Sequence, residues 1–194
     1  GRLLVAKPCS GLPNGRLITP RGLQIRVAPH PYGLVLSPDG STAVTANSGT
    51  GPFSVTIIRS VTGDAPQVQQ VPEGHRTDVG VLASVYMGLA IAPDNSALYV
   101  AGGQEGKVFI IDLATGKRDG EIACDVPVNG VTYGDSYIGD LVMSADGKRI
   151  YGVDQANFRM IVIDPAGRRV VGTVGVGRYP FGITLSPDGT RAYV

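Results

Sequence analysis

The sequence predicts an all-β fold, a β-propeller of four-stranded antiparallel blades, and three observations carry that prediction. Glycine (28) and proline (14) make up about 22% of the 194 residues, against roughly 12% in average usage, a composition of many turns and short elements. One motif recurs four times, at 33–40 (Gly-Leu-Val-Leu-Ser-Pro-Asp-Gly), 88–95 (Gly-Leu-Ala-Ile-Ala-Pro-Asp-Asn), 140–147 (Asp-Leu-Val-Met-Ser-Ala-Asp-Gly) and 182–189 (Gly-Ile-Thr-Leu-Ser-Pro-Asp-Gly). Its aspartates, Asp39, Asp94, Asp146 and Asp188, are spaced by 55, 52 and 42 residues, and no stretch sustains a helical period.

Each unit justifies its strands in turn. The short apolar run reads as a buried first strand, at 33–37, 87–92, 139–144 and 181–186. It ends in a Pro-Asp-Gly turn, where Pro presets φ, Asp suits the next position and Gly or Asn accepts positive φ. A second strand follows the turn, at 44–47, 99–102, 151–154 and 193–194. A third runs over 53–59, 107–112 and 159–164, closing on a turn with Gly63, Gly116 or Gly167. A fourth, more polar one covers 67–71, 118–123 and 169–174. Four strands per unit in meander order, apolar inside and polar outside, is the blade of a propeller.

The units resemble the YVTN-type β-propeller repeat. Tyr99-Val100 and Tyr193-Val194 stand where its Tyr-Val-Thr-Asn strand begins, and Ile110-Ile111-Asp112 with Thr115-Gly116 matches its third strand and turn. Val176-Gly177-Arg178-Tyr179-Pro180-Phe181-Gly182 is a further match, and the resemblance covers nearly residues 20 to 194. A narrower likeness starts from Leu12-Pro13-Asn14-Gly15-Arg16-Leu17-Ile18-Thr19-Pro20-Arg21-Gly22 and includes Gly102-Gly103. It resembles the N-terminal propeller of bacterial proteins that join such a propeller to an alkaline-phosphatase-like phosphoesterase domain. That resemblance implies a periplasmic or extracellular setting. It carries no catalytic residue onto this chain, which contains no phosphoesterase metal motif.

Counting units divides the chain into a lead-in at 1–22 and a partial propeller at 23–194. The latter comprises an outer strand at 23–29, blades at about 31–73, 86–125 and 138–176, and a half blade at 179–194. About three and a half blades are thus expected, the first half of a ring of about seven; propellers close with roughly four to eight. The expected partners are the other half of the ring or another copy of the chain, through open blade faces that each present roughly 400 Å² of apolar surface.

Composition excludes several classes. Net charge is +1 with no Lys or Arg run, so a basic face for nucleic acid is not expected. No apolar stretch reaches 18 residues, so no helical membrane span is expected. Cys9 and Cys124 are too few for a cysteine zinc site; one bridge between them, or a buried Cys124 beside a surface Cys9, are both open. No metal and no cofactor is expected. The four turn aspartates lack calcium-loop spacing and are explained by their turns.

The candidate site follows from where extra residues fall. The first two units carry about ten more residues than the third between third strand and next first strand, at 74–85 and 126–138. Loops of this kind emerge on one face of a propeller and mark its binding face. That channel-mouth face collects His30, Tyr32, Tyr86, Tyr137, Asp140, Arg178 and Tyr179. Asp140 stands where the other units have Gly33, Gly88 and Gly182. His75 and Arg76, beside Glu73, are the residues that could serve acid–base work. Without a Gly-x-Ser-x-Gly elbow or a base near Ser84, the expectation is a non-catalytic scaffold or binding module for a protein or small-molecule ligand. The alternatives are part of a lactonase-like propeller enzyme, or the accessory propeller of a phosphoesterase.

Overall fold

A computed structural model describes residues 10–11, 17–18, 22–49 and 51–194. Among them every regular element is a strand: β1 (Ser10–Gly11), β2 (Leu17–Ile18), β3 (Pro31–Leu36), β4 (Thr42–Asn47), β5 (Ser54–Arg59), β6 (Gln67–Val71), β7 (Leu89–Ile91), β8 (Ala97–Ala101), β9 (Lys107–Asp112), β10 (Arg118–Ala123), β11 (Ile138–Met143), β12 (Ile150–Asp154), β13 (Arg159–Asp164), β14 (Arg169–Gly175), β15 (Thr184–Leu185) and β16 (Ala192–Tyr193). β3–β6, β7–β10 and β11–β14 form three four-stranded antiparallel meanders, and β15–β16 is the inner hairpin of a fourth unit. The fold is a β-propeller of antiparallel blades. No helix among the described residues is long and apolar enough to cross a membrane.

The turns form for the reason their sequence gives. In the first, Asp39 Oδ1 accepts from the Ser37 hydroxyl (2.6 Å) and the Ser41 amide (3.0 Å), while Gly40 takes φ +69°. Asp94, Asp146 and Asp188 repeat the contact to the amide two residues on. The bonds favour the ionised form, so the Asp39 carboxyl falls to about 2 and the other three fall below the usual carboxylate range.

Alternation along each strand splits the core into two inter-blade layers. Val44, Ala46, Val55 and Ile57 of blade 1 meet Leu89, Leu98, Val100, Phe109 and Ile111 of blade 2. Ala90, Tyr99, Ala101, Val108 and Ile110 of blade 2 meet Leu141, Ile150, Ile161 and Ile163 of blade 3. The first strands come closest. A Cβ on Gly33 would sit 1.9 Å from the Met87 carbonyl oxygen, and one on Gly88 would sit 2.7 Å from the Asp140 backbone. Only a residue without a side chain fits there.

Two expectations are corrected, and one open reading is narrowed. Residues 23–29, expected as an outer strand, form none; a strand is defined by its ladder, and no described strand lies beside this segment to pair with it. The open face of blade 1 is not apolar throughout. Tyr32, Leu34 and Leu36 are exposed as expected, at 68%, 73% and 56%, but Thr45, Asn47, Ser54 and Thr56 form a buried polar centre. That centre is stable because its members bond to one another, the Asn47 amide donating to Ser54 Oγ (3.2 Å) and Thr56 Oγ1 (3.0 Å). Cys124 is a free, buried thiol, its pKa pushed up to about 12 by burial; Cys9 lies outside the described residues.

Candidate functional site at the channel mouth

First strands run away from the mouth face, so the residues just before them ring the channel entrance. Tyr86 of blade 2 and Tyr137 of blade 3 meet edge to face at 5.2 Å between ring centres, and Phe181 of the fourth unit meets Tyr86 at 6.4 Å. Gly103 lies beneath the cluster: with φ +53° it exchanges two backbone hydrogen bonds with Ile138 across the blade boundary. A Cβ there would stand 3.4 Å from the Tyr137 ring and 3.5 Å from Tyr86. Burial pushes the Tyr137 hydroxyl up, with Tyr86 adding to it. Tyr179, 75% exposed, stacks edge to face on Phe158 at 5.1 Å. Tyr179 and Phe158 take φ +53°, uncommon for residues with a side chain. Below this collar, Tyr32, Met87, Asp140, Met143 and Ile183 help line a channel of about 490 Å³.

Asp140 has a structural explanation. Its Oδ1 accepts from the Leu141 amide (2.9 Å), and its Oδ2 from the Ile183 amide (3.0 Å). It ties blade 3 to the fourth unit where other units use a glycine. His30 lies flat against Gly49, where a Cβ would be 2.7 Å from its ring. His75 stands apart from the collar, in a cleft of about 810 Å³ between residues 24–29 and the outer part of blade 1, with Gln67 and Gln70. Arg76 and Arg178 are exposed. The structure therefore brings together Tyr86, Tyr137 and Phe181, pairs Tyr179 with Phe158, sets Tyr32 and Asp140 in the channel, and places His75 in the separate cleft beside blade 1.

A group the sequence reading missed fastens the mouth from beneath. Arg159 and Asp154 are buried, at 1% and 0% exposure, with Nε 2.8 Å from Asp154 Oδ2. Arg159 Nη2 donates to the Cys124 carbonyl (3.0 Å) and Ser136 Oγ (3.2 Å). Tyr133 lies over the guanidinium at 3.5 Å. Asp154 also accepts from Ser136 Oγ (2.8 Å), the Tyr137 amide (3.0 Å) and Asn157 Nδ2 (2.9 Å). Blade 3 thereby grips both ends of the 124–137 loop and sets Tyr137 in the collar. Among the described residues no group of three His, Cys, Asp or Glu side chains is placed to hold a metal ion.

No family model matches this chain, and no curated protein matches it. Among solved structures it is similar to hydrazine synthase of Kuenenia stuttgartiensis, with a TM-score of 0.63 and 25% identity over 84% of this chain and 41% of that one. It is also similar to a functionally unknown protein of Desulfotomaculum acetoxidans, with a TM-score of 0.62 and 16% identity over 94% of this chain and 52% of that one. The chain thus spans about half the length of these neighbours, and the likeness is one of fold.

Proposed function

We propose that this chain is a non-catalytic propeller segment, a scaffold and binding module that engages a protein or small-molecule partner at the channel-mouth face. The aromatic collar carries the reading. Phe181, against Tyr86, and Tyr179, against Phe158, leave 60% and 75% of their surface exposed. Aromatic side chains of this kind offer large contact area at low entropic cost. Positive φ at Tyr179 and Phe158 supports it, because strained backbone gathers at ligand clamps.

The titratable groups support a role without catalysis. Asp140 and Asp154 spend their oxygens on fixed donors, buried Ser136 sits against a carboxylate rather than an imidazole, and His75 lies in the separate cleft beside blade 1. The resemblance to YVTN-type repeats supports a periplasmic or extracellular bacterial protein.

A thermal-shift screen of small aromatic and amphiphilic probes tests the proposal. Stabilisation by a probe should vanish in Tyr179→Ala/Phe181→Ala, whose side chains are largely exposed. The chain should leave p-nitrophenyl phosphate, p-nitrophenyl acetate and γ-butyrolactone unchanged. Turnover of any of these that disappears in His75→Ala would replace the binding module with an enzyme.

A further inference from the structure

The collar stands over a channel that carries a single charge. Among the described residues lining that channel, Asp140 is the one charged side chain; the rest are apolar or, like Tyr32, neutral. The two donors to Asp140, the Leu141 and Ile183 amides, are themselves neutral. They fix the carboxylate in place and leave its charge uncompensated. Among the described residues no Lys, Arg or His forms an ion pair with it.

Short chain links join this carboxylate to the rings. Tyr86 precedes Met87 of the channel wall, Phe181 stands two residues before Ile183, and Tyr137 three before Asp140. The carboxylate lies against the Phe181 segment, where a Cβ on Gly182 would be 3.7 Å from Asp140 Oδ2. Tyr86 is set at 80° to Tyr137 and at 83° to Phe181. Phe181 is 60% exposed, and Tyr86 and Tyr137 are half-buried, so ring surface stays open to a ligand. Ring faces carry partial negative charge.

Rings and carboxylate together select the ligand by charge. Both repel an anion, and a neutral ligand gains nothing from either. A cation gains from both. Its chemistry is narrowed further by the Asp140 oxygens, each of which already accepts from the backbone. A primary ammonium brings three N–H donors that need acceptors on binding, and it is strongly hydrated. A quaternary ammonium brings none and presents alkyl groups to the rings. Arg178, the cation next along the rim, is exposed to solvent, where salt screens it.

From these observations we propose that the channel mouth binds a small quaternary ammonium ligand. The Tyr86, Tyr137 and Phe181 rings hold its alkyl groups, and Asp140 supplies the opposite charge. This rests on the collar being a binding surface and narrows the class of ligand it takes.

An NMR titration of the backbone amides with choline, beside its neutral isostere 3,3-dimethylbutan-1-ol, tests the proposal. Choline should shift the Leu141 and Ile183 amides, which report on Asp140, and should bind at least ~10-fold more tightly than the alcohol. Phe181→Leu keeps an apolar side chain and removes the ring face. It should weaken choline at least ~5-fold and change the alcohol less than ~2-fold. Asp140→Asn should weaken choline in the same way. It also removes an acceptor from a backbone amide, and Phe181→Leu, at an exposed position, supplies the test without that change. Equal affinity for choline and the alcohol, with both lost in Phe181→Ala, overturns the cation site and leaves the collar as a binding surface. No response of the Leu141 and Ile183 amides to choline overturns the cation site as well. If the aromatic and amphiphilic probes of the thermal-shift screen also fail to bind, the collar reading falls with it.

Discussion

Replacing Arg159 by Leu tests the fastening beneath the mouth. The substitution keeps most of the buried volume and removes the bonds to Asp154 (2.8 Å), the Cys124 carbonyl (3.0 Å) and Ser136 (3.2 Å). Breaking a buried pair by deleting one partner costs about 3–5 kcal/mol, because the other charge stays behind without compensation. Here Asp154 keeps Ser136, Asn157 and the Tyr137 amide, which places the loss near ~3 kcal/mol. In a domain of this size that lowers the melting temperature by about 6–12 °C. Asp154→Asn should cost about 3 kcal/mol as well, since it strands the guanidinium.

The double variant Asp154→Asn/Arg159→Leu leaves no buried charge. It should lose clearly less than the sum of the singles, by about 1.5–3 kcal/mol. Urea denaturation of the four proteins supplies the cycle, and limited proteolysis of 124–137 reports whether the loop is still held. Additive single effects, or a loop equally resistant in Arg159→Leu, would refute the assignment.

Other outcomes follow from the same geometry. Gly33→Ala and Gly88→Ala, which drive a Cβ into the neighbouring backbone, should each cost about 3 kcal/mol or more in urea denaturation. Gly40→Ala, with open space around it but φ +69°, should cost only about 1 kcal/mol. The turn aspartates bind protons less readily folded than unfolded. Their stabilisation is present above pH 3.8 and lost as pH falls from there toward about 2, where Asp39 titrates. The urea midpoint should drop across that window and drop less in Asp39→Asn. Cys124, buried and with its pKa near 12, should react with a thiol reagent only at the rate of unfolding, and prompt labelling under native conditions would contradict its burial.

The fold was legible because its signals are local. Each turn needs Asp39, Asp94, Asp146 or Asp188 within a few residues of the strand it closes, and each strand carries its own alternation. Third strands read from sequence at 107–112 and 159–164 match β9 and β13. The site was legible only in part. Tyr86, Tyr137 and Tyr179 stood out by type and by place before a first strand. Phe158 did not, because its partner is 21 positions away across a blade boundary. Asp154, Arg159 and Ser136 form one group only after two blades pack, and no spacing rule connects them. One trace existed: Asp154 holds the position of Gly102 and Asn47, at the mouth end of each second strand. Segment 23–29 misled for the opposite reason, since its alternation suits a strand but its partner is not among the described strands.

Within each blade, every described ladder joins strands that follow one another directly in the sequence. A chain built this way can fold in the order in which it is synthesised. Each finished meander offers the emerging blade a ready apolar face, so the growing polypeptide need not wait for a distant segment to begin burying its core. Arrest-peptide force profiles on the ribosome should accordingly show one pulling event per blade, each beginning once a fourth strand has cleared the exit tunnel. A single event at full length would mean that the blades fold only as a set.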